Sequence, residues 1–325
     1  MDQFTTPGYV STLLVYNASI FTAYTNGRIT SVPLPTNWFK PSVKSSSYSF
    51  DIISDEKDIN DMIGYKGSLF VTTSNQLQCF NIKKSPVEKN QYYTKNIVDC
   101  THMRINYRNN LAFAISEERG IVVLNVSNPL NPRYIGDIDV NLFYQEDCII
   151  TGIDIHENTI FLALRNKGIL RLDYYQNEIQ EPKIYRSFEK ISLKDPQDVK
   201  FNKKNSNLYI ADADEGLIIL STMDNKIIHC CRLPNDDFPR KLIIHNNNCI
   251  VQGSKGLYLY NTREKDLEII LNFKIGAIAK YYNKIFFYKN KKLNLLVFGN
   301  SVEMLDNDVF TSVYQYTNNN VFKIK

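Results

Sequence analysis

Short apolar runs rich in β-branched and aromatic residues recur along the whole chain, each bounded by Asn, Asp, Gly or Lys. Ser11 to Tyr16, Ser68 to Thr73, Gly120 to Val126, Gly168 to Asp173 and Gly256 to Tyr260 are examples. None extends into a long helical periodicity, so the pattern predicts an all-β chain of short strands joined by tight turns. One local pattern also repeats: a turn residue, mostly glycine, followed by an apolar strand. It reads Gly27-Arg-Ile-Thr-Ser-Val, Gln76-Leu-Gln-Cys-Phe-Asn, Gly120-Ile-Val-Val-Leu-Asn and Gly168-Ile-Leu-Arg-Leu-Asp. It continues as Gly216-Leu-Ile-Ile-Leu-Ser, Gly256-Leu-Tyr-Leu-Tyr-Asn and Lys292-Leu-Asn-Leu-Leu-Val. Successive copies begin 36 to 49 residues apart, which is the length of a four-stranded propeller blade.

The copy at Gly216 shows how one unit is built. A strand at Asp198-Val-Lys-Phe, a turn, and a strand at Leu208-Tyr-Ile-Ala precede it, and Lys226-Ile-Ile-His-Cys-Cys follows as a fourth strand. Glycine at the start of the third strand admits the positive φ of a tight hairpin. Such a unit is apolar on both faces, and stacking seven of them buries those faces against neighbours. The pattern therefore predicts one domain over residues 1–325, a seven-bladed β-propeller, with six or eight blades as the alternatives. Val309 to Tyr316 reads as a last strand and Asn320 to Lys325 as an extra edge strand or tail. Closure is expected from packing of the first blade on the last, with a strand donated by Met1 to Thr5 as the alternative.

The segment Gly120-Ile-Val-Val-Leu-Asn-Val-Ser-Asn-Pro-Leu-Asn-Pro-Arg-Tyr-Ile-Gly136 resembles the repeat of LVIVD β-propeller proteins. There a glycine opens an apolar strand, a D-V-S-[DN]-P turn follows, and a second proline leads to the outer strand. Asn125 stands where that repeat usually has Asp. Ala211-Asp-Ala-Asp-Glu-Gly-Leu-Ile-Ile-Leu matches the first half, while the other copies keep the rhythm and lose the Ser-Asn-Pro turn. The resemblance implies a propeller and brings no assigned chemistry with it.

Composition narrows the function class. Of 325 residues, 43% are hydrophobic and 12% aromatic, which excludes a disordered chain. The net charge is only +4, and Lys83-Lys84, Lys203-Lys204 and Lys289 to Lys292 are far apart. Nucleic-acid binding is not expected from scattered basic residues. Neither a secretory signal nor an apolar run of bilayer length is visible. The six cysteines form no CxxC pair and are expected as free thiols. These observations predict an intracellular, cytoplasmic protein without a transmembrane segment.

Signatures of chemistry are sparse. GxGxxG, Walker, HExxH and GxSxG motifs are all absent from the sequence. Gly253-Ser-Lys-Gly256 suggests a phosphate loop but lies between two strands and opens no helix, so the anion reading is set aside. His229 and Cys231 share a side of one strand, with His245 and Cys249 in the next blade. They supply an incomplete zinc set and read as ordinary strand residues. More suggestive are the connections from each outer strand to the next blade. They carry Asp58 and Asp61, Asp99, Glu146 and Asp147, Asp195 and Asp198, then Asp236 and Asp237.

Three readings of these acids stay open: turn chemistry, an acidic rim for a basic partner, and a calcium site. The candidate partner-binding residues are Asp61, Asp99, Asp147, Asp198 and Asp237, expected on one face. No catalytic residue, metal ligand or cofactor is expected. The sequence thus predicts a non-enzymatic platform for other proteins in a larger assembly. The alternative is a calcium-dependent, lactonase-like hydrolase.

Overall fold

The computed structural model describes residues 9–34, 50–53, 58–83, 88–90, 100–144, 147–188, 191–290, 292–298, 312–317 and 320–323. Among the described residues the regular secondary structure is β-strand, apart from two short 3-10 turns at Val140–Phe143 and Pro234–Asp236. The strands form seven successive sheets, or blades, of four or five strands each, with one further two-stranded ribbon at Ser187–Phe188 and Ile191–Ser192. Seven such sheets in succession define a seven-bladed β-propeller.

Every copy of the repeated pattern opens the third strand of its blade. Those strands are Arg28–Pro33, Leu77–Asn81, Gly120–Asn125, Gly168–Tyr175, Gly216–Ser221, Leu257–Asn261 and Lys292–Phe298. Gly216 sits at φ 96°, and a Cβ there would lie 2.3 Å from the carbonyl oxygen of Cys231 on the outer strand. Gly256 departs from the expectation of positive φ. Close approach is what requires glycine there, since a Cβ would lie 2.7 Å from the Leu271 carbonyl oxygen.

The backbone divides into two compact units. The first comprises Met1–Met103, Asn125–Tyr134 and Gly276–Lys325; the second comprises Arg104–Leu124 and Ile135–Ile275. In the first unit, Leu13, Ile20 and Leu34 of blade 1 pack with Ala279, Phe286, Leu295 and Val297 of blade 7. The Tyr24 and Tyr288 hydroxyls meet at 3.2 Å. Blade 1 therefore rests on blade 7, as the sequence suggests. The last strand and an extra edge strand are present as the sequence suggests, at Ser312–Thr317 and Asn320–Lys323; the first runs parallel to Lys292–Phe298 and the second turns back antiparallel on it. A parallel return needs a connection of about a dozen residues, and residues 299–311 supply that length. Met1 to Thr5 and Val309 to Thr311 lie outside the described residues.

In the second unit, alternation explains the doubly apolar strands. Along the second strand of blade 5, Asn207–Asp212, Leu208 and Ile210 pack with Phe161, Ala163 and Ile169 of blade 4. Tyr209 and Ala211 point the other way, onto Leu242, Val251, Tyr258 and Tyr260 of blade 6. The period of two delivers alternate residues to two different neighbours. On the outer strand of the same blade, Cys230 joins the first of these clusters and Cys231 the second.

Candidate functional site

Asp61 and Asp198 do not sit in the connections. Each lies in the first strand of its blade, Ile59–Tyr65 or Pro196–Asn202, beside a register shift. A shift leaves an N–H without its ladder partner, and the aspartate carboxylate accepts it. Met62 donates to Asp61 Oδ1 at 3.0 Å and Val199 to Asp198 Oδ1 at 2.9 Å.

Asp198 goes further. Its Oδ2 accepts the Leu242 N–H of blade 6 at 2.9 Å, and Lys200 Nζ lies 2.9 Å from Oδ1. Burial alone would push this carboxyl up, but Lys200 and the Leu242 N–H outweigh it and hold Asp198 below the ordinary range. Asp154, on the first strand of blade 4, accepts the Phe201 N–H at 2.8 Å. Its burial is only partly offset by Lys200, so its carboxyl is raised. These carboxylates fasten the first strands of blades 4, 5 and 6 to one another.

Asp237 is the most heavily used acid. It lies in the connection ahead of Pro239–His245 and is 7% exposed. Ser254, Lys255 and Gly256 donate successive backbone N–H groups to its carboxylate at 2.7 to 3.1 Å. Phe238 N–H and the Tyr258 hydroxyl add bonds at 2.8 Å. Burial raises its carboxyl, yet the Ser254 and Tyr258 hydroxyls and these N–H groups bring it below the usual range. The Gly253–Gly256 turn is thus an anion-binding nest after all, already filled by the protein's own carboxylate.

In blade 5 the equivalent turn is held by Asp212 of the strand itself, which accepts from Asp214 and Glu215 at 3.0 Å. Pro196 pairs with Asp212 as Pro239 pairs with Gly253. Glycine at 253 makes the substitution work, because a Cβ there would lie 2.2 Å from Asp237 Oδ2.

Two of the five candidate rim carboxylates therefore do not face solvent. Asp198 and Asp237 are buried and their oxygens are engaged; Asp61 is half-buried. Asp147 is exposed, and Asp99 lies outside the described residues. Among the described residues no three His, Cys, Asp or Glu side chains gather as a metal site. His229 stacks at a tilt against Tyr260, 5.3 Å between ring centres. Among the described residues all six cysteines are free thiols. Burial pushes Cys79 and Cys231 up to about 12, far from a reactive thiolate.

The opposite ends of the same sheets, where first strands turn into second and third into fourth, are built on asparagine. Asn202 Oδ1 accepts the Lys204 N–H at 3.0 Å, and Asn261 Oδ1 accepts the Arg263 N–H at 3.0 Å. Asn106 does the same for Arg108. Asn248 Oδ1 accepts the Thr262 N–H at 3.3 Å. A pocket of about 350 Å³ opens here, lined by Lys204, Asn246, Asn247, Asn248, Asn261, Arg263 and Glu264. Below it the buried Tyr209 hydroxyl receives Asn205 Nδ2 at 3.1 Å and meets Thr262 Oγ1 at 3.2 Å, tying the Lys204 and Arg263 turns together.

Tyr107 and Met223 stand 66% and 82% exposed on turns at this end, and Tyr175, which ends the third strand of blade 4, is 55% exposed. Leu142 and Ile149 are exposed on the connection between blades 3 and 4, at the other end. Sequence reasoning missed the pocket. Its one available signal is the recurrence of Asn-x-Lys or Asn-x-Arg at strand ends: Asn81 with Lys83, Asn106 with Arg108, Asn202 with Lys204, and Asn261 with Arg263.

Blade succession and strand order together make this a β-propeller protein. No family model matches the chain, and no curated protein matches it either. Solved structures do. The β-propeller domain of Cps50 (Swd1) from Myceliophteria thermophila superposes with a TM-score of 0.67 at 10% identity, over 89% of this chain and 96% of that one. Sqt1 of Saccharomyces cerevisiae gives 0.64 at 11% identity, over 86% and 80%. The computationally designed protein Ika8 gives 0.60 at 8% identity, over 89% and 96%. At these identities the likeness is one of fold. Among the described residues no helix is long and apolar enough to cross a membrane.

Proposed function

We propose that this chain is a non-enzymatic β-propeller platform, built from LVIVD-like repeats, that holds other proteins in a larger assembly. The observation that carries the reading is the asparagine-turn end of the second unit. Tyr107 and Met223 on turns, and Tyr175 at the end of a strand, are exposed at that end, and a polar pocket opens at the Lys204 and Arg263 turns. Exposed Tyr and Met are enriched where proteins meet, and turns fixed by side-chain hydrogen bonds lose little freedom on binding. The engaged carboxylates and the raised thiols support a structural rather than a chemical use of those groups. The free cysteines support a reducing compartment such as the cytoplasm.

The test is affinity purification from the source cells with quantitative mass spectrometry, comparing wild type with a Tyr107→Ser, Tyr175→Ser, Met223→Ser variant. The platform reading expects partners near stoichiometric amounts with wild type and their depletion with the variant. An identical capture profile for the two proteins would contradict it.

A further inference from the structure

We propose that the pocket lined by Lys204, Asn248, Asn261 and Arg263 receives an acidic peptide segment of a partner protein. This rests on the platform reading and gives it a binding chemistry. The argument begins with the orientation of the amides. Asn248 and Asn261 each turn Oδ1 toward a backbone N–H, at 3.3 and 3.0 Å. An amide whose oxygen is engaged this way presents its two N–H donors elsewhere. Lys204 and Arg263 are both exposed and add donors with full charge. Neither forms an ion pair with a carboxylate among the described residues, unlike Arg108, which is bridged to Glu157. The pocket therefore gathers donors and two cations against a single carboxylate on its lining.

The spacing of the two cations is set by the fold. Lys204 follows Asn202 and Arg263 follows Asn261 by the same two residues, and both turns are linked through Tyr209 and its neighbours Asn205 and Thr262. Glu264 is the one opposing charge on the lining.

A peptide is favoured over a small anion by what lies beside the pocket. Thr222 donates its N–H and hydroxyl to the Ser206 carbonyl, at 3.2 and 2.7 Å. That contact sets the turn bearing Met223, 82% exposed, against the turn bearing Lys204. Met is a soft apolar surface suited to a peptide side chain. The occupant is an acidic stretch with an apolar residue next to its carboxylates.

The experiment is fluorescence polarisation at low salt with a labelled peptide alternating Glu and Leu. Controls are the same peptide with Lys for Glu, an oligothymidylate, and inorganic phosphate as competitor. The Glu peptide should bind saturably. Lys204→Ala and Arg263→Ala should each weaken it about fivefold to tenfold, the loss of one charge-assisted contact, with unchanged unfolding temperature. Glu264→Gln should tighten it about twofold to fivefold by removing a like charge.

Equal binding of Glu and Lys peptides, indifference to the Lys204 and Arg263 variants, stronger binding of the oligothymidylate, or full displacement by phosphate would each overturn the proposal. The platform reading has its own failure, the unchanged capture profile above. A pocket that ignores acidic peptide while native partners are still captured removes this assignment alone.

Discussion

The two ends of blades 5 and 6 solve one problem with different residues and are left with opposite surfaces. Both ends must hold tight turns whose N–H groups have no ladder partner. At the end bearing residues 213–215 and 254–256 the acceptor is a carboxylate, Asp212 or Asp237. At the other end it is an amide, Asn202, Asn248 or Asn261. An ionised carboxylate only accepts, so once it is surrounded by N–H groups nothing of it is offered outward. An amide accepts with its oxygen and still has two donors to present. Charge in the sequence is therefore a poor guide to charge at the surface here: Asp198, Asp212 and Asp237 are buried, and the neutral asparagines border the polar pocket.

The comparison can be broken most forcefully at Asp198. Asp198→Ala leaves the Lys200 ammonium without its ion pair and the Leu242 N–H without an acceptor. A loss of about 3–5 kcal/mol is expected, as for other buried pairs cut on one side, and urea unfolding should read it. An exposed acid such as Asp147 replaced by alanine should change stability by no more than about 0.5 kcal/mol.

Gly253→Ala is next. Its Cβ would drive the Asp237 carboxylate out of the nest, for an expected cost of about 1–3 kcal/mol. In a double-mutant cycle with Asp237→Ala the cost should fall to that of the remaining Tyr258 ring contact, 2.9 Å from the same Cβ, because the closer clash has lost its partner. Additive effects would mean that the nest is not what glycine protects.

Tyr209→Phe removes the hydroxyl joining the Asn205 and Thr262 turns. It should cost about 1 kcal/mol in thermal or urea unfolding and leave the Asp237 end untouched in hydrogen exchange.

The smallest effects lie in pH dependence, where the sign is the diagnostic. Asp198 is held below the ordinary value of 3.8. Its stabilisation is full above that value and is lost as pH falls through the depressed folded one. Asp154 is raised, so its contribution is full below the ordinary value and is lost as pH rises through the folded one. Asp198→Asn should thus reduce the stability gained between acid and neutral pH, and Asp154→Asn should enlarge it. Unfolding midpoints measured across that range would show two changes of the same sign if this assignment of environments were wrong.

Much of the fold is legible in the residues. A turn residue ahead of an apolar run marks every third strand, even at Gln76 and Lys292 where glycine is missing, because the following strand must be apolar on both faces. The parallel direction of the strand at Ser312–Thr317 is not legible, since a strand's direction depends on its connection and not on its own pattern. The acids at and just after the blade connections are visible in sequence, but their use is not. The donors that occupy Asp237 come from residues 254–256, far along the chain, and the N–H that occupies Asp198 comes from Leu242 in the next blade. The pocket is hidden for the same reason. Its lining comes from three turns on separate strands, and each asparagine alone reads as an ordinary turn residue.

The central claim, that the asparagine-held end is the binding surface and the aspartate-held end is structural, is tested most directly by hydrogen–deuterium exchange of the chain alone and in complex with its captured native partner. The account predicts slower exchange on binding in residues 203–206, 246–248 and 261–265, with residues 213–215 and 254–256 unchanged. Protection confined to 213–215 and 254–256, with the asparagine turns unaffected, would contradict it.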